Sequence, residues 1–333
     1  MTLLVTGGAG FIGSAFVRER LDSHPDEEIR VLDKLTYAGR EENLPLADER
    51  VSLVEADIAD PAAVRGAVDG CRALVNFAAE SHVDRSIESP GEFIQTDVFG
   101  TYVLCEAARD LEIRHLQIST DEVYGSIESG SFTESSPLDP SSPYSASKAG
   151  GDLIVSAFHH TYGLDSLVCR ASNNFGPRQH PEKLIPLMIL NALAGDRLPV
   201  YGDGMQVRNW LYVTDFAKAI SLALEQGEAG RVYNAGGPDE MANIDVVKRV
   251  IELAGGEESL IDYVRDRPGH DRRYSLGSER IQTELGWRAE VGFEQGIERT
   301  FEWYAANESW WGPIRSGEYR EYYERHYGRA LGG

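Results

Sequence analysis

The first half of the chain alternates short apolar segments with longer segments of helical periodicity. Each short segment is a run of apolar, often β-branched residues, which is typical of strands buried inside a parallel sheet. The alternation predicts βαβ units and an α/β fold with a doubly wound parallel sheet. The predicted strands cover residues 3–5, 29–32, 52–54, 73–77, 116–118 and 166–169, and the predicted helices cover 10–21, 61–68, 91–109 and 144–162.

The pattern becomes irregular after about residue 175, where Pro177, Pro181, Pro186 and Pro199 interrupt it. A predicted strand at 210–213, a helix at about 214–225 and a strand at 231–234 indicate a return to the main sheet. We therefore expect two discontinuous domains. Residues 1–174 and about 209–240 would form the parallel-sheet domain, and about 175–208 and 241–333 a smaller mixed α/β domain.

Composition and charge limit the possible functions. The net charge of −22 argues against non-specific binding to nucleic acid or to an anionic membrane, because the field repels phosphates. No apolar run approaches the roughly 18 residues of a membrane span, and glycines end the first apolar run early, so we expect a cytoplasmic enzyme. Cys71, Cys105 and Cys169 lack the spacing of metal ligands and are expected to be core thiols, so no metal site is predicted.

A glycine-rich turn follows the first predicted strand. Gly7, Gly10 and Gly13 precede and open the first helix, where a helix N-terminus can bind the pyrophosphate of a dinucleotide. Asp33 ends the second strand, where a carboxylate can bind ribose hydroxyls and would repel a 2′-phosphate. NAD is therefore favoured over NADP, although the adjacent Lys34 weakens that preference. The alternative interpretation is a glycine turn without a ligand.

Two further groups of residues indicate proton-transfer chemistry. Tyr144 and Lys148 are one helical turn apart, so the ammonium group could lower the pKa of Tyr144 and allow it to deprotonate a sugar hydroxyl. Asp121 and Glu122 follow Thr120 at the carboxyl end of a strand, where ligands bind in such folds. One carboxyl group could serve as acid and the other as base, which elimination of water requires. Taken alone, the first pair could be an ordinary exposed helix pair and the second a turn cap.

Together these motifs resemble the nucleotide-sugar 4,6-dehydratases of the extended short-chain dehydrogenase/reductase superfamily. The glycine turn and the Tyr/Lys pair are shared by the superfamily, whereas Thr120, Asp121 and Glu122 are similar to the dehydratase branch. The resemblance covers nearly the whole chain. Its other segments are residues 32–39, 77–84, 172–177, 180–186 and 267–271, with the sequences LDKLTYAG, FAAESHVD, SNNFGP, HPEKLIP and RPGHD.

The resemblance implies a three-stage reaction on one bound nucleoside-diphosphate glucose, for which we favour dTDP-glucose. Tyr144, supported by Lys148 and Thr120, would deprotonate the 4-hydroxyl while hydride passes from C4 to NAD. Glu122 would remove the C5 proton while Asp121 protonates the departing 6-hydroxyl, and hydride would return at C6. The product would be the 4-keto-6-deoxy sugar.

The resemblance also implies binding residues, with NAD in the first domain and the nucleotide sugar in the second. The residues expected to bind NAD are Gly7, Gly10, Phe11, Ile12, Gly13, Asp33, Lys34, Thr36, Asp57, Ile58, Ala79, Ser81, Thr96, Tyr144 and Lys148. Those expected to bind the substrate are His82, Thr120, Asn173, Asn174, Lys183, Leu184, Pro199, Tyr201, Arg208, Asn243, Arg267 and His270. Loop packing is the alternative for Pro199 and Tyr201, and a solvated surface charge is the alternative for Lys183 and Arg208.

Three alternative functions stay open at this point. The same chemistry could act on UDP-glucose or on a UDP-N-acetylhexosamine. A nucleotide-sugar 4-epimerase would share the fold, NAD and the Tyr/Lys pair, but it has no need for Asp121 and Glu122. A non-catalytic NAD-sensing module is disfavoured because the catalytic residues are intact.

The chain departs from the family pattern at two positions. Asp97 stands where the family commonly has asparagine, and Arg178 where it often has an aromatic residue. Trp310 and Trp311 match the family and are expected to serve packing. The predicted helices at 91–109 and 144–162 resemble the pair that forms a four-helix bundle in relatives, so we expect a homodimer with no nucleic-acid or membrane partner.

Overall fold

The computed structural model describes residues 1–316 of the chain. Its strands are β1 (Thr2–Thr6), β2 (Glu28–Asp33), β3 (Val51–Glu55), β4 (Cys71–Asn76), β5 (Arg114–Thr120), β6 (Ser166–Ala171), β7 (Asn173–Phe175), β8 (Leu198–Tyr201), β9 (Val207–Tyr212), β10 (Val232–Ala235), β11 (Asp239–Ala242) and β12 (Ile261–Val264). Its α-helices are α1 (Phe11–Ser23), α2 (Pro61–Val68), α3 (Val83–Glu88), α4 (Pro90–Phe93), α5 (Thr101–Asp110), α6 (Pro143–Tyr162), α7 (Leu184–Ala194), α8 (Val213–Gln226), α9 (Asn243–Leu253), α10 (Glu279–Leu285), α11 (Phe293–Ala306) and α12 (Glu308–Ser316). A π-helical segment, Ile94–Gly100, joins α4 to α5, and 3-10 turns cover Glu41–Asn43, Asp121–Tyr124 and Glu258–Leu260.

Seven strands form one parallel sheet in the order β10-β6-β5-β4-β1-β2-β3. Side chains of α1 and α8 join one apolar cluster with the sheet, and side chains of α2, α5 and α6 join another. The predicted α/β fold with a doubly wound parallel sheet is confirmed. The strand order reverses between β1 and β4, and ligands bind at such a switch point.

A second, smaller assembly surrounds a separate apolar cluster built largely from β8, β9, α7, α9 and α11. It contains a three-stranded sheet in the order β11-β9-β7 and the parallel pair β12-β8. The prediction that the strand at 210–213 returns to the main sheet is wrong, because β9 pairs with β7 and β11. Trp210 and Tyr212 pack against Phe175 in the second cluster, which explains where β9 lies. β10 does join the main sheet beside β6, as predicted.

The predicted continuous helix at 91–109 is interrupted by the π-helical segment. α6 packs against this segment at two glycines, Gly150 and Gly151. A Cβ at Gly150 would lie 2.9 Å from a methyl carbon of Val98, and a Cβ at Gly151 would lie 2.8 Å from the Asp97 carbonyl oxygen. The apolar periodicity of the sequence does not reveal this local widening of the helix.

The three cysteines, Cys71, Cys105 and Cys169, are free and buried, as expected for core thiols. Within residues 1–316, no helix is long and apolar enough to cross a membrane. The same residues contain no group of three or more His, Cys, Asp or Glu side chains placed to hold a metal ion. The discontinuous division into two domains stays a prediction, and its last residues, 317–333, lie outside the described part of the chain.

Candidate active site

The glycine turn lies between β1 and α1, at the switch point of the sheet. Gly7 has a φ of 68°, and a Cβ there would lie 2.4 Å from the Ala78 backbone nitrogen. A Cβ at Gly13 would lie 2.4 Å from the Gly7 carbonyl oxygen, so both positions need glycine. α1 begins at Phe11, and its N-cap residue Gly10 supplies no side-chain cap. The first N–H groups of α1 therefore suit a bound phosphate.

Asp33 at the end of β2 fits the ribose of NAD. Its carboxylate accepts hydrogen bonds from the N–H groups of Ala9 and Leu35, and each N···O distance is 2.9 Å. Burial raises the pKa of Asp33, although both hydrogen bonds act in the opposite direction. Lys34 forms an ion pair with Asp57 at 2.7 Å, so its charge is already engaged. The residues present thus fit NAD better than NADP.

One cleft extends from the glycine turn to the carboxyl groups that follow β5. All residues predicted to bind NAD line this cleft, from Gly7 and Asp33 at one end to Tyr144 and Lys148 at the other. The cleft is also lined by Thr120, Asp121, Glu122, Asn173, Asn174 and Lys183. The fold therefore brings the predicted cofactor and catalytic residues into one site, while their individual roles stay predictions.

The end of β5 positions the three dehydratase residues. β5 ends at Thr120, and the 3-10 turn that follows holds Asp121 and Glu122. The Thr120 hydroxyl accepts a hydrogen bond from the Glu122 N–H and donates one to Asp121 Oδ1. The donor–acceptor distance is 3.2 Å in both bonds. Thr120 thus bonds to the side chain of Asp121 and to the backbone of Glu122, which ties the end of β5 to the 3-10 turn.

The start of α6 positions the Tyr/Lys pair. A capping box between Ser142 and Ser145 fixes the N-terminus of the helix, which places Tyr144 in its first turn. Lys148 lies one turn later, and its Nζ donates to the Ile118 carbonyl oxygen of β5 over 2.9 Å. This bond ties α6 to β5 and so keeps the pair beside the two carboxyl groups.

Asp121 and Glu122 differ in their electrostatic surroundings. Asp121 is 1% exposed, and burial together with the charge of Glu122 raises its pKa to about 8. Burial also raises the pKa of Glu122, but the nearby cations Arg267, Arg208 and Lys183 act against that rise. At neutral pH, Asp121 therefore retains a proton and suits the role of acid. Glu122 is the better candidate for the base.

The pKa of Tyr144 is raised overall in this structure, and the predicted opposing effect of Lys148 stays a prediction. Burial raises that pKa well above its usual value, and the carboxylates of Glu122 and Asp97 raise it further. A hydrogen bond with Thr120 acts in the opposite direction. The Lys148 ammonium group is directed at a backbone carbonyl oxygen, so the two nearby anions and burial dominate.

The two arginines predicted to bind the substrate lie next to the carboxyl groups. Arg208 is 5% exposed, so the alternative of a solvated surface charge is wrong for this residue. Its Nη2 donates to the Asp271 carbonyl oxygen over 3.0 Å, and its guanidinium lies 4.2 Å from the Tyr274 ring centroid. Arg267 Nη1 lies 3.6 Å from Asp84 Oδ1. Both arginines also act on the pKa of Glu122, so they contribute positive potential at the catalytic end of the cleft.

The other predicted substrate residues lie around these arginines or farther along the second cluster. The rings of Tyr201 and His270 are 6.0 Å apart, and the Tyr201 hydroxyl donates to Asp84 Oδ2 over 3.2 Å. Lys183 Nζ donates to the Ser81 carbonyl oxygen over 2.5 Å. Of the twelve predicted substrate residues, the cleft is lined by Thr120, Asn173, Asn174 and Lys183. Of the others, His82 has its Nε2 3.9 Å from a Glu182 oxygen, Leu184 begins α7, Pro199 is buried in β8, and Asn243 begins α9.

The cleft is also lined by residues without a predicted role, among them Glu80, Gln179, His180 and Glu182. Glu182 is buried, with Arg85 Nε 3.4 Å from its Oε2. Arg85 in turn lies 3.8 Å from the ring centroid of Tyr37. His180 and Glu182 belong to the matching HPEKLIP segment, so their position in a motif was the available signal.

The two departures from the family pattern have different surroundings. Asp97 is buried and accepts hydrogen bonds from the Glu80 N–H at 3.0 Å and the Ser147 hydroxyl at 2.6 Å. Burial raises the pKa of Asp97 to about 6, although the charge of Lys148 acts against the rise. Arg178 has a φ of 68° and lies 5.4 Å from the Trp303 ring centroid. Asp97 therefore contacts α6, the helix that carries Tyr144 and Lys148, whereas Arg178 packs on α11 and does not line the cleft.

Comparisons with known proteins agree with this site. A family model described as GDP-mannose 4,6 dehydratase matches residues 4–300. A dTDP-glucose 4,6-dehydratase from Streptomyces niveus is 49% identical over 323 residues, which cover 95% of this chain and 96% of the relative. The crystal structure of a dTDP-glucose 4,6-dehydratase from Streptomyces venezuelae with NAD bound has a TM-score of 0.92 at 50% identity. That match covers 94% of this chain and 100% of the other.

Epimerases share the architecture at lower identity. A UDP-glucose 4-epimerase from Thermus thermophilus in complex with NAD has a TM-score of 0.86 at 32% identity, covering 92% of this chain and 100% of the other. The overall shape therefore does not separate the two activities, whereas the Asp121-Glu122 pair and the higher identity both favour the dehydratases. From its sequence, its cleft and these relatives, the chain belongs to the nucleotide-sugar 4,6-dehydratase family.

Proposed function

We propose that this chain dehydrates dTDP-glucose to dTDP-4-keto-6-deoxyglucose with NAD as its cofactor. The observation that carries the proposal is the pair of unlike carboxyl groups, Asp121 and Glu122, in one cleft with Tyr144 and Lys148. An epimerase needs no such acid and base. The similarity to dTDP-glucose 4,6-dehydratases near 50% identity supports the choice of nucleotide.

Each catalytic residue has a proposed proton to move or hold. Tyr144, hydrogen-bonded to Thr120, accepts the proton of the 4-hydroxyl. Glu122 removes the C5 proton, and Asp121 donates its proton to the 6-hydroxyl, which leaves as water. When bound, NAD supplies the acceptor and donor of the hydride and a positive charge that favours tyrosinate.

The cations beside the cleft suit a nucleoside diphosphate. Lys183, Arg208 and Arg267 all act on the pKa of Glu122, so they are close enough to share one local field. Their charges offset the repulsion that a net charge of −22 exerts on a diphosphate. We propose that the predicted division holds apart from β9, which lies in the second assembly: NAD binds to residues 1–174 and about 209–240, and the nucleotide sugar to about 175–208 and 241–333.

A homodimer is part of this proposal. A row of aromatic side chains connects the π-helical segment, α5 and α6, with neighbouring ring centroids 5.1 to 6.1 Å apart: Phe99, Tyr102, the buried Phe158 and Tyr162. We call this row the aromatic row. Phe99, Tyr102 and Tyr162 are 40%, 39% and 56% exposed, which favours burial against a second copy.

The proposed reaction is tested by incubating the purified protein with dTDP-glucose and with UDP-glucose and following product mass. We expect loss of one water from dTDP-glucose, about 18 Da by composition, and at least about 100-fold less product with Glu122→Gln. Because Glu122 acts after C4 oxidation, this variant should still form NADH, seen by its absorbance.

The matched control is Glu128→Gln, which changes an exposed glutamate outside the cleft and should leave the rate unchanged. Conversion of the substrate to its galactose isomer without loss of mass would replace the dehydratase proposal with an epimerase. Faster loss of water from UDP-glucose than from dTDP-glucose would overturn the choice of nucleotide.

A further inference from the structure

Helix α12 reaches back to the glycine turn through one buried side chain. Trp310 Nε1 donates a hydrogen bond to Asn43 Oδ1 over 2.9 Å, although the two residues are 267 positions apart. Asn43 is 1% exposed, and its Nδ2 donates to the Ala9 carbonyl oxygen over 2.8 Å. We call this Trp310–Asn43–Ala9 connection the indole–amide relay.

The chemistry of the three groups fixes which group donates and which accepts in each hydrogen bond of the relay. An indole N–H can only donate, and a carbonyl oxygen can only accept. The Asn43 amide offers one acceptor and one donor group, each facing a matching partner. A flipped amide would place two donors together and two acceptors together, so the network fixes its orientation. An aspartate at this position would have no proton to donate to Ala9.

The relay acts on the peptide bond that leads into α1. The Ala9 carbonyl oxygen also accepts a hydrogen bond from the Arg40 N–H over 3.1 Å, and the Gly10 N–H donates to the Gly7 carbonyl oxygen over 3.2 Å. The Ala9 N–H bonds to Asp33. Because a peptide unit is planar, holding the Ala9 carbonyl also sets the direction of the Gly10 N–H and the start of α1.

Trp310 is itself held by the second apolar cluster. Its ring centroid lies 5.1 Å from that of Trp303, and the two rings meet at 71°. The Arg40 guanidinium lies 5.5 Å from the Trp310 ring centroid. The indole therefore cannot move independently of α11, and the relay connects the second cluster to the cofactor end of the cleft.

We propose that Trp310 and Asn43 are positioning residues for NAD. The relay holds the Ala9–Gly10 peptide in place before NAD binds. The start of α1 then loses less conformational entropy when it binds the pyrophosphate. This inference rests on the proposed NAD function. It assigns to α12 a role in cofactor affinity in addition to packing.

The test compares Trp310→Phe with Trp311→Phe. Both changes keep an aromatic ring and remove one indole N–H in the same helix, but Trp311 Nε1 donates to the Tyr304 carbonyl oxygen, away from the glycine turn. NAD affinity is measured by titration calorimetry on protein freed of cofactor. We expect Trp310→Phe to weaken binding about three- to tenfold, the loss that one hydrogen bond confers, and Trp311→Phe to leave it unchanged.

Amide hydrogen exchange gives a readout that does not depend on NAD. Residues 36–44 should exchange faster in Trp310→Phe than in wild type and Trp311→Phe. Asn43→Asp should weaken NAD binding at least as much as Trp310→Phe, and adding Trp310→Phe to it should have no further effect, because both act through one connection. In Trp310→Phe, the apparent KM for NAD should rise by a larger factor than any fall in kcat.

Equal NAD affinities of Trp310→Phe and wild type would overturn the relay and leave the proposed function standing. Equal weakening by Trp310→Phe and Trp311→Phe would also overturn it, because the effect would then follow from altered packing of α12. A wild-type protein that does not bind NAD would overturn the proposed cofactor and, with it, this inference.

Discussion

The ionisation of Asp121 links the proposed mechanism to pH. Its pKa of about 8 keeps the proposed acid protonated at neutral pH. We expect kcat with dTDP-glucose to fall above pH 8, approaching tenfold for each pH unit, because the fraction of protonated Asp121 falls in that way. Asp121→Asn should lower kcat by about 100-fold or more and remove this dependence.

A pH–rate profile from 6.5 to 9.5 measures this effect. Asp22→Asn, an exposed change on α1, is the control and should keep the wild-type profile. An alkaline decrease of the same shape in Asp121→Asn would assign the titration to another group.

The same raised pKa affects stability. Since the pKa of Asp121 rises from 3.8 to about 8 on folding, its stabilising contribution is fully present below pH about 4 and is lost as the pH rises through 8. Asn does not titrate, so Asp121→Asn lacks this loss and should gain stability relative to wild type between pH 5 and 8. Thermal unfolding at both pH values measures the difference, and an equal difference at pH 5 and 8 would contradict the raised pKa.

At the scale of elements, the close contact between α6 and the π-helical segment predicts that one added methyl group lowers the stability of the protein. A methyl group at Gly151 would lie 2.8 Å from the Asp97 carbonyl oxygen, so Gly151→Ala should destabilise the protein by about 1–3 kcal/mol through overpacking. It should also reduce activity, because α6 carries Tyr144 and Lys148. Chemical denaturation and the dehydratase assay measure the two effects.

Gly66 in α2 is the matched control. Gly66 is exposed on α2, and a Cβ there would meet no atom within 4 Å. Gly66→Ala should therefore stabilise the protein by about 0.5–1 kcal/mol through helix propensity. If Gly151→Ala were equally stabilising, the tight contact between α6 and the π-helical segment would not exist in solution.

For the whole molecule, the aromatic row predicts how two copies associate. Tyr102→Glu places a charge in the centre of the row and should convert the proposed homodimer to a monomer, because burying an unpaired charge is costly. Tyr263→Glu is the control, since Tyr263 is 58% exposed on β12 outside the row. Light scattering after size exclusion measures the mass of each variant. A monomeric wild type, or a dimeric Tyr102→Glu variant, would contradict the predicted interface.

Local spacing in the sequence determined the strands of the first half, the glycine turn and the two catalytic groups. A strand, a tight turn and a pair of residues one helical turn apart each depend on neighbours within a few positions, so the chain alone specifies them. The tertiary structure decided which sheet β9 joins and which segment α6 packs against, because contacts between distant segments set both.

Protonation and long-range hydrogen bonds also depend on tertiary contacts rather than on local sequence. The spacing of Tyr144 and Lys148 was visible in the sequence, but the direction of the Tyr144 pKa shift was not, because it depends on burial and on Glu122 and Asp97. The sequence contained Trp310 without indicating that its indole bonds to Asn43 across the molecule. The sequence by itself determined which chemical groups the protein carries and their local geometry. Only the tertiary structure decided their protonation and their distant partners, since both depend on what packing brings together.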